Sequence, residues 1–145
     1  MRYRDLAGVD KHKLEKIVKD KQWCDANNLL YMPVVFPGFS TGNLKDKPEN
    51  FDIVPRLKGD FLWRQMYNAI TADIQTIYVA MFDEIDEGTA IFKVSNNPPV
   101  GDTRFISYEE GVPSDYYLWL TGQAGKMLRK EIPLSESQPI YSKKK

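Results

Sequence analysis

A run of acidic side chains in the second half of the chain is the feature most able to do chemistry. It comprises four carboxylates within five consecutive positions: Asp83, Glu84, Asp86 and Glu87. Carboxylates at this density repel one another, so the run is electrostatically unfavourable unless the groups serve a purpose. It follows an apolar, strand-like segment at residues 74–82 rather than lying on an exposed helix. This placement makes the run the strongest functional signal in the sequence.

One interpretation of the run is a general acid/base pair for cleaving glycosidic bonds. That chemistry needs one carboxyl group with a raised pKa to protonate a leaving oxygen, and a second that stays ionised. Glu84 and Glu87 are the natural pair. A spacing of three residues puts them on opposite faces of a strand, so both can face one site only if the backbone turns after Phe82. Gly88 permits such a turn, because glycine adopts conformations that other residues avoid.

Two other interpretations of the acidic run stay open at this point. The carboxylates of Asp83, Glu84 and Asp86 could bind Ca²⁺ or Mg²⁺, although the run lacks the spaced ligands and central glycine of an EF-hand loop. The third interpretation is an acidic turn whose side chains point into solvent. The sequence pattern alone favours the solvated turn over the catalytic pair, and both over the metal site. We predict no metal ion and no cofactor.

Further residues are candidates for contact with a substrate. Phe39, Trp63 and Tyr108 either stack on the face of a sugar ring or belong to the core, and the core is the commoner place for such residues. Arg56 and Arg64 either contact a polar substrate or pair with acids on the surface. The predicted substrate-binding residues are Phe39, Arg56, Trp63 and Asp83.

Composition and charge argue against several other classes of function. The 145 residues carry 20 basic and 20 acidic side chains, so the positive surplus needed to bind nucleic acid is missing. One histidine, His12, one cysteine, Cys24, and no G-x-S-x-G motif argue against a Ser or Cys triad or a zinc site within this chain. No glycine-rich phosphate-binding motif occurs. The longest apolar run, residues 29–37, is far shorter than the ~20 residues of a membrane span.

The elements that must position these residues alternate between helix and strand. Apolar periodicity predicts a helix over residues 10–28, capped by Asp10, and another over residues 61–72, capped by Asp60. Residues 29–36 and the segment before the acidic run are continuous apolar runs of strand length, which is typical of strands covered on both faces. Strand, helix and strand in this order form a βαβ unit, so the two strands are predicted to be parallel.

The rest of the chain adds an irregular loop, one more strand and one more helix. Residues 37–59 contain several Pro and Gly without periodicity, and loops of this length are usually functional or disordered. Residues 105–108 are a predicted third strand, and Ser114 is predicted to cap a last helix over residues 115–130. Ligands collect at the carboxyl ends of parallel strands, so the loop after the first strand and the acidic run are expected at one site.

Four segments in collinear order carry a resemblance to a known family. They are YMPVVFPGFS at residues 31–40, PR followed by GDFLW within residues 55–63, YVAMFDEIDEGTA at residues 78–90 and PSDYYLWLTG at residues 113–122. Together they resemble the C-terminal part of bacterial proteins of the glycoside hydrolase family 71/99-like group. The resemblance implies a (β/α)₈ barrel and, in the family 99 branch, a retaining endo-α-mannosidase or endo-α-mannanase.

The resemblance also implies roles for the acidic residues. In family 99 an E-x-x-E pair at a strand end carries the chemistry, and that pair falls here on Glu84 and Glu87. By resemblance, Glu84 would draw the proton from the sugar 2-hydroxyl to form a 1,2-anhydro intermediate, while Glu87 would protonate the leaving oxygen and later activate water. Two departures bear on mannose specificity and on sugar contacts: DEI at residues 83–85 replaces Asn-Glu-Trp, and TG at residues 41–42 replaces an aromatic and a polar residue.

The predicted fold class is therefore α/β, a partial (β/α)₈ TIM barrel of about its last three βα units over residues 1–134, followed by a polar and basic tail at residues 135–145. A closed barrel takes about 250 residues, so we predict a missing N-terminal barrel portion as partner, a glycan as substrate, and no turnover by the isolated chain. The alternative is a noncatalytic carbohydrate-binding or interaction fragment. The chain start resembles no signal peptide, so a periplasmic or extracellular location is expected only if a longer relative is exported.

Overall fold

The structure of the chain is a computed structural model that describes residues 3–98 and 101–142, so the basic end of the predicted tail at residues 143–145 lies outside it. Three consecutive helical segments come first: α1 (Leu6–His12), a π-helical segment (Lys13–Ile17) and α2 (Val18–Ala26). The helix predicted over residues 10–28 is confirmed in type, although it begins and ends earlier. None of the helices in the described ranges is long and apolar enough to cross a membrane.

The start of the first helix corrects the predicted cap. Asp5, not Asp10, is the N-cap: its carboxylate accepts a hydrogen bond from the backbone N–H of Gly8 at 2.7 Å. This bond satisfies one of the donors left free at a helix start. Asp10 lies within the helix, where its carboxylate accepts from Asn68 Nδ2 at 2.8 Å and pairs with Arg64 at 3.4 Å. The acid predicted to be a cap therefore joins the first helix to a later one.

Two short parallel strands, β1 (Val34–Val35) and β2 (Tyr78–Val79), form the sheet, with Val34 opposite Tyr78. The N–H of Tyr78 donates to the carbonyl of Pro33 at 3.0 Å, and that of Ala80 donates to Val35 at 2.8 Å. The predicted parallel strand–helix–strand unit is confirmed, since α3 (Asp60–Thr71) connects the two strands. Both strands are shorter than the predicted runs, because neither pairs with a further strand among the described residues and Pro33 has no N–H to donate.

The irregular loop predicted over residues 37–59 is confirmed. An antiparallel bridge pairs Phe39 with Val54 within it. Two short 3₁₀ turns also interrupt it: Pro48–Asn50 and Leu57–Gly59. Gly59, at φ 97°, ends the loop as the N-cap of α3, so the prediction that Asp60 caps this helix is wrong. Asp60 instead lies in the first turn, where a carboxylate interacts favourably with the helix dipole.

The last helix, α4 (Tyr116–Leu128), lies within the predicted range, and the chain after it folds back onto it. Ser114 does not cap this helix. The N-cap is Asp115, whose side chain makes no capping bond and accepts instead from the Tyr141 hydroxyl at 2.7 Å. The rings of Tyr141 and Trp119 lie 5.0 Å apart between centroids. Tyr141, within the segment predicted to be a polar tail, therefore packs on α4.

The third strand predicted at residues 105–108 is not formed. No strand occurs anywhere in residues 101–115, all of which the structure describes. Tyr108 instead donates its hydroxyl to the carbonyl of Phe92 at 2.8 Å. The apolar sequence of this segment serves side-chain burial, because no neighbouring strand is placed to share a hydrogen-bond ladder with it.

Helices α3 and α4 cover one face of the sheet. The buried side chains of this core include Val35, Leu62, Trp63, Met66, Tyr117 and Leu120. The apolar stripe predicted along the second helix is confirmed for Leu62, Met66 and Ala69, each at most 4% exposed. Gln65 on the same helix ties α3 to the end of β1, because its amide donates to the Phe36 carbonyl at 2.8 Å and accepts from the Phe36 N–H at 3.2 Å.

The opposite face of the sheet has no cover among residues 3–98 and 101–142. Leu30, Met32 and Val34 are 73%, 49% and 53% exposed, whereas the intervening Tyr31 and Pro33 are partly buried and buried, and Tyr78 on β2 is 45% exposed. Alternation along a strand places such side chains on one side. We call the surface formed by Leu30, Met32, Val34 and Tyr78 the bare face.

Candidate active site

The acidic loop, residues 83–89, makes the turn that a shared site for its carboxylates requires. The N–H groups of Thr89 and Ala90 both donate to the carbonyl of Glu84, at 3.2 and 2.8 Å. Gly88 adopts φ 64°, a left-handed conformation that glycine tolerates best. The loop therefore closes on itself a few residues after β2, which is the turn on which a shared site for Glu84 and Glu87 depends.

Glu84 and Glu87 lie in different environments within this loop. Both are partly buried, whereas Asp83 is exposed. The Glu84 carboxylate (Oε1) accepts a hydrogen bond from the backbone N–H of Asp86 at 3.1 Å. Burial raises the pKa of Glu87, and the negative charges of Glu84 and Asp86 raise it further. General acid/base chemistry requires two carboxyl groups whose pKa values differ, and a raised pKa on one of the pair is in the direction that a general acid needs.

The loop after β1 meets the acidic loop, as expected for the carboxyl ends of neighbouring parallel strands. The backbone N–H of Ser40 donates to the carbonyl of Glu87 at 2.7 Å. Asn43 donates from its side chain to Asp86 at 2.6 Å and to the carbonyl of Arg104 at 2.9 Å. Asn43 could not be predicted as a site residue, because a single amide in an irregular loop belongs to no pattern of spacing.

Arg56 lies behind the acidic loop and is only 4% exposed. Its guanidinium donates to the carbonyls of Gly88 at 2.5 Å and Ala90 at 3.4 Å. The same group lies 4.8 Å from the ring centroids of both Tyr108 and Tyr117. Arg56 is therefore neither paired with a surface acid nor exposed to a substrate. It contacts the loop from the side of the core.

Of the remaining predicted site residues, Phe39 directly precedes Ser40, which bonds to the acidic loop, whereas Trp63 lies in the core and Arg64 on the surface. Trp63 is 2% exposed in the core, and its indole N–H donates to the carbonyl of Ser135 at 3.1 Å. Phe39 is partly buried in the loop before α3. Arg64 pairs with Glu136 at 2.7 Å, which is the surface pairing considered for it. Trp63 fills the space between helices, so the structure places it away from the acidic loop.

An apolar cavity of about 490 Å³ opens beside the acidic loop. Ile85 of the loop lines it, together with Phe92, Phe105 and Ile106. Within the described parts of the chain, no group of three or more His, Cys, Asp or Glu side chains is arranged to hold a metal ion. The carboxyl pair and this cavity are therefore the two features at the carboxyl end of β2.

Glycoside hydrolases generally use a pair of Asp or Glu carboxyl groups that flank the scissile bond. The model of glycosyl hydrolase family 99 matches residues 11–130 of this chain. The chain therefore belongs to glycosyl hydrolase family 99, and the family resemblance of its sequence segments is confirmed. The link to family 71 and the bacterial source stay predictions.

Curated relatives and solved structures agree with this assignment. The chain is 31% identical over 112 residues to the human "Glycoprotein endo-alpha-1,2-mannosidase-like protein", and 28% identical over 111 residues to its Danio rerio counterpart. The GH99 endo-alpha-mannosidase from Bacteroides thetaiotaomicron is similar over 79% of this chain, with a TM-score of 0.67 and 26% identity. The chain spans 24% of the length of those curated relatives and 33% of the solved structure.

Proposed function

We propose that this chain carries the catalytic carboxyl pair of a glycoside hydrolase, with Glu84 as base and Glu87 as acid. The observation that supports this most directly is the acidic loop, in which the pKa of Glu87 is raised beside the hydrogen-bonded carboxylate of Glu84. Membership of family 99 supports the reaction class, and the likeness to an endo-alpha-mannosidase makes an α-mannoside the first substrate to test. Asp83, exposed at the start of the loop, is proposed to contact the glycan.

The proposed reaction has two steps at the anomeric carbon. Glu84 takes the proton of the sugar 2-hydroxyl, and the freed oxygen attacks the anomeric carbon to form a 1,2-anhydro sugar while Glu87 gives its proton to the leaving oxygen. In the second step Glu87 takes a proton from water, the resulting hydroxide opens the anhydro ring at the anomeric carbon, and Glu84 returns its proton to the 2-oxygen. A raised pKa suits Glu87 to this role, because it must hold a proton before the first step.

We also propose that the chain is about the last three βα units of a (β/α)₈ barrel, a fold that takes about 250 residues when closed. The proposed partner is a polypeptide that supplies the N-terminal barrel portion. The bare face supports this, since four neighbouring apolar side chains without cover are unfavourable in water. The isolated chain is expected to show no turnover, because the substrate would contact only one part of its site.

The experiment that tests the proposal is reconstitution. The 145-residue chain is assayed for release of reducing sugar from α-mannan, alone and with the part of the Bacteroides thetaiotaomicron enzyme that lies outside the matched region. We expect release only from the mixture. Glu84→Gln and Glu87→Gln are expected to lower the rate by about 100-fold or more while retaining glycan binding. Glu110→Gln, at an exposed acid outside the loop, is the matched control and should leave the rate unchanged.

Several outcomes contradict the proposal. Release by the isolated chain would contradict its dependence on a partner. A mixture whose rate is unaffected by Glu84→Gln and Glu87→Gln would contradict the catalytic roles, and glycan binding without any turnover would favour a noncatalytic carbohydrate-binding fragment. Loss of the rate in chelator would favour the metal-dependent interpretation of the acidic run.

A further inference from the structure

We infer that Arg56 is the positioning residue of the acidic loop: its guanidinium, packed beside the rings of Tyr108 and Tyr117, maintains the loop conformation that brings Glu84 and Glu87 together. This inference depends on the proposed function only for its catalytic consequence. The geometric claim concerns the loop itself and can be tested without turnover.

The first support is the hydrogen bonding of the segment that follows the carboxylates. Gly88 and Ala90 are buried, and among the described residues neither carbonyl accepts a backbone hydrogen bond from a loop or turn, so both need side-chain donors. Arg56 donates to both, at 2.5 and 3.4 Å, and the Tyr108 hydroxyl also donates to the Ala90 carbonyl at 3.5 Å. Tyr108 adds a bond to the Phe92 carbonyl at 2.8 Å, which extends the same support along the chain.

The second support is that the guanidinium itself has little freedom to move. It lies 4.8 Å from the ring centroids of Tyr108 and Tyr117, and these rings are in contact with each other at 4.7 Å. Tyr117 is in turn held by a hydrogen bond from its hydroxyl to Glu109 at 2.9 Å. A cation close to two aromatic rings is stabilised by both of them, more strongly when water is excluded.

The third support is that the loop after β1 leaves room for this side chain. A Cβ atom added to Gly38 would lie 2.5 Å from Cγ of Arg56 and 2.9 Å from the carbonyl oxygen of Val54. Glycine at position 38 therefore lets the Arg56 stem pass. The two strand-end loops also contact each other, through the hydrogen bond from the N–H of Ser40 to the carbonyl of Glu87. Arg56 therefore contacts both loops at the place where they meet.

Arginine suits this position for a reason that lysine does not share. The planar guanidinium presents several donors in a fixed fork and stacks on aromatic faces, whereas an ammonium group is a compact point charge with a strong hydration shell. Lysine at position 56 would keep the positive charge but lose the planar set of hydrogen-bond donors. Comparing Arg56→Lys with Arg56→Met therefore separates geometry from charge.

The test follows the Glu87 carboxyl by NMR titration in the full 145-residue chain. Wild type is expected to show a raised pKa for Glu87, because the loop holds it partly buried beside Glu84 and Asp86. In Arg56→Lys and Arg56→Met the loop should open, and the pKa of Glu87 should fall most of the way to its ordinary value. Loss of positive charge by itself would act in the opposite direction, since it removes a favourable partner for the carboxylate.

Matched variants complete the design. Arg64→Lys and Arg64→Met change the same residue type on α3, where Arg64 pairs with Asp10 and Glu136, and should leave the pKa of Glu87 unchanged. Gly38→Ala displaces Arg56 without replacing it and should lower the pKa as well. In the reconstituted enzyme, Arg56→Lys is expected to lower kcat by about 100-fold with a smaller change in KM, as for misplacement of a catalytic group by about 1 Å.

Folded Arg56 variants in which the pKa of Glu87 is unchanged or higher would overturn the inference. Failure of Arg56→Lys, Arg56→Met and Gly38→Ala to fold would also overturn it. A residue that positions only one loop can be replaced without loss of the core between α3 and α4. The inference and the proposed function fail separately. An inactive reconstituted enzyme with a responsive Glu87 contradicts only the function, and an active enzyme indifferent to Arg56 contradicts only the positioning.

Discussion

The two faces of the parallel sheet have similar residue types and opposite surroundings. Val35 is 1% exposed against helices α3 and α4, while its neighbour Val34 is 53% exposed on the bare face. Leu30 and Met32 continue the exposed side, and both are as apolar as the residues of the core. Burial in this sheet is therefore decided by whether a helix covers the face, and not by the type of side chain.

The same comparison applies to the acidic loop at the carboxyl end of the sheet. From the covered side it is held by Arg56, Tyr108 and Tyr117. On the bare side nothing in the described structure packs over β1 and β2. One side of the candidate site is therefore built within this chain, and the other is where we propose that a partner completes it.

The largest expected effect is on the free energy of unfolding and concerns the face of the sheet that α3 and α4 cover. Leu120→Ala in α4 removes a fully buried side chain and should lower the free energy of unfolding by about 3 kcal/mol, within the range of about 2–5 kcal/mol for such cavities. Urea denaturation measures this difference. The control is Leu118→Ala on the same helix, where the side chain is 43% exposed and the expected change is below about 1 kcal/mol. Equal losses for the two variants would contradict the assignment of the core.

A sharper test uses two adjacent valines. Val35→Ala should lower the free energy of unfolding by about 2 kcal/mol, from lost burial of two methyl groups at about 0.8 kcal/mol each plus a small cavity. Val34→Ala, on the bare face, should change it by less than about 0.5 kcal/mol. Thermal or urea unfolding of both variants measures the contrast directly. If Val34→Ala were the more harmful change, the bare face would already be covered in solution.

The next effect concerns association through the bare face. Val34→Lys should weaken binding of the complementing barrel portion by about 10-fold or more, which corresponds to about 1.4 kcal/mol, because it places a charge in a surface that must become dry. Analytical ultracentrifugation of the mixture measures the dissociation constant. Ile140→Lys, at an apolar residue 92% exposed outside the bare face, is the matched control. Equal binding by wild type and Val34→Lys would remove the bare face as the docking surface.

The smallest effect tests whether the acidic loop is already partly buried without a cover. A raised pKa means that the ionised Glu87 carboxylate disfavours the folded state, and this penalty is absent below the unfolded pKa and appears as pH rises through the folded pKa. Glu87→Gln should therefore stabilise the chain at pH 7 by at most about 0.5 kcal/mol, after allowance for solvent screening. The gain should vanish near pH 3, where both states bind the proton. Thermal unfolding at the two pH values, with Glu110→Gln as control, checks this, and destabilisation at pH 7 would contradict it.

Much of the helical structure could be predicted because its signals are local. The apolar stripe with Leu62 and Met66 repeats over three turns, so α3 is visible without knowledge of its neighbours. The cap at Asp10 and the strand at residues 105–108 were predicted wrongly, since Asp10 bonds to α3 and the strand lacks a partner to pair with. Both errors concern contacts between residues that are distant in sequence.

The residues of the candidate site also divide into those that the sequence could predict and those that it could not. Glu84 and Glu87 were visible from the sequence, because unusual charge density after an apolar strand is a local pattern. The buried place of Trp63 and the support of the loop by Arg56 were not visible, because a single aromatic or basic residue has the same local appearance in a core, on a surface or at a site.

The sequence by itself determined the helix–strand alternation, the parallel pairing and the identity of the carboxylates, since periodicity, connection order and charge density are properties of neighbouring residues. Tertiary structure alone decided that β1 and β2 stay short, that one of their faces is bare, and that a buried arginine beside two tyrosines donates to the carbonyls of Gly88 and Ala90. The physical reason is that hydrogen-bond partners, burial and the pKa of a carboxyl group depend on what lies across space from a residue, and the chain reaches those neighbours only by folding.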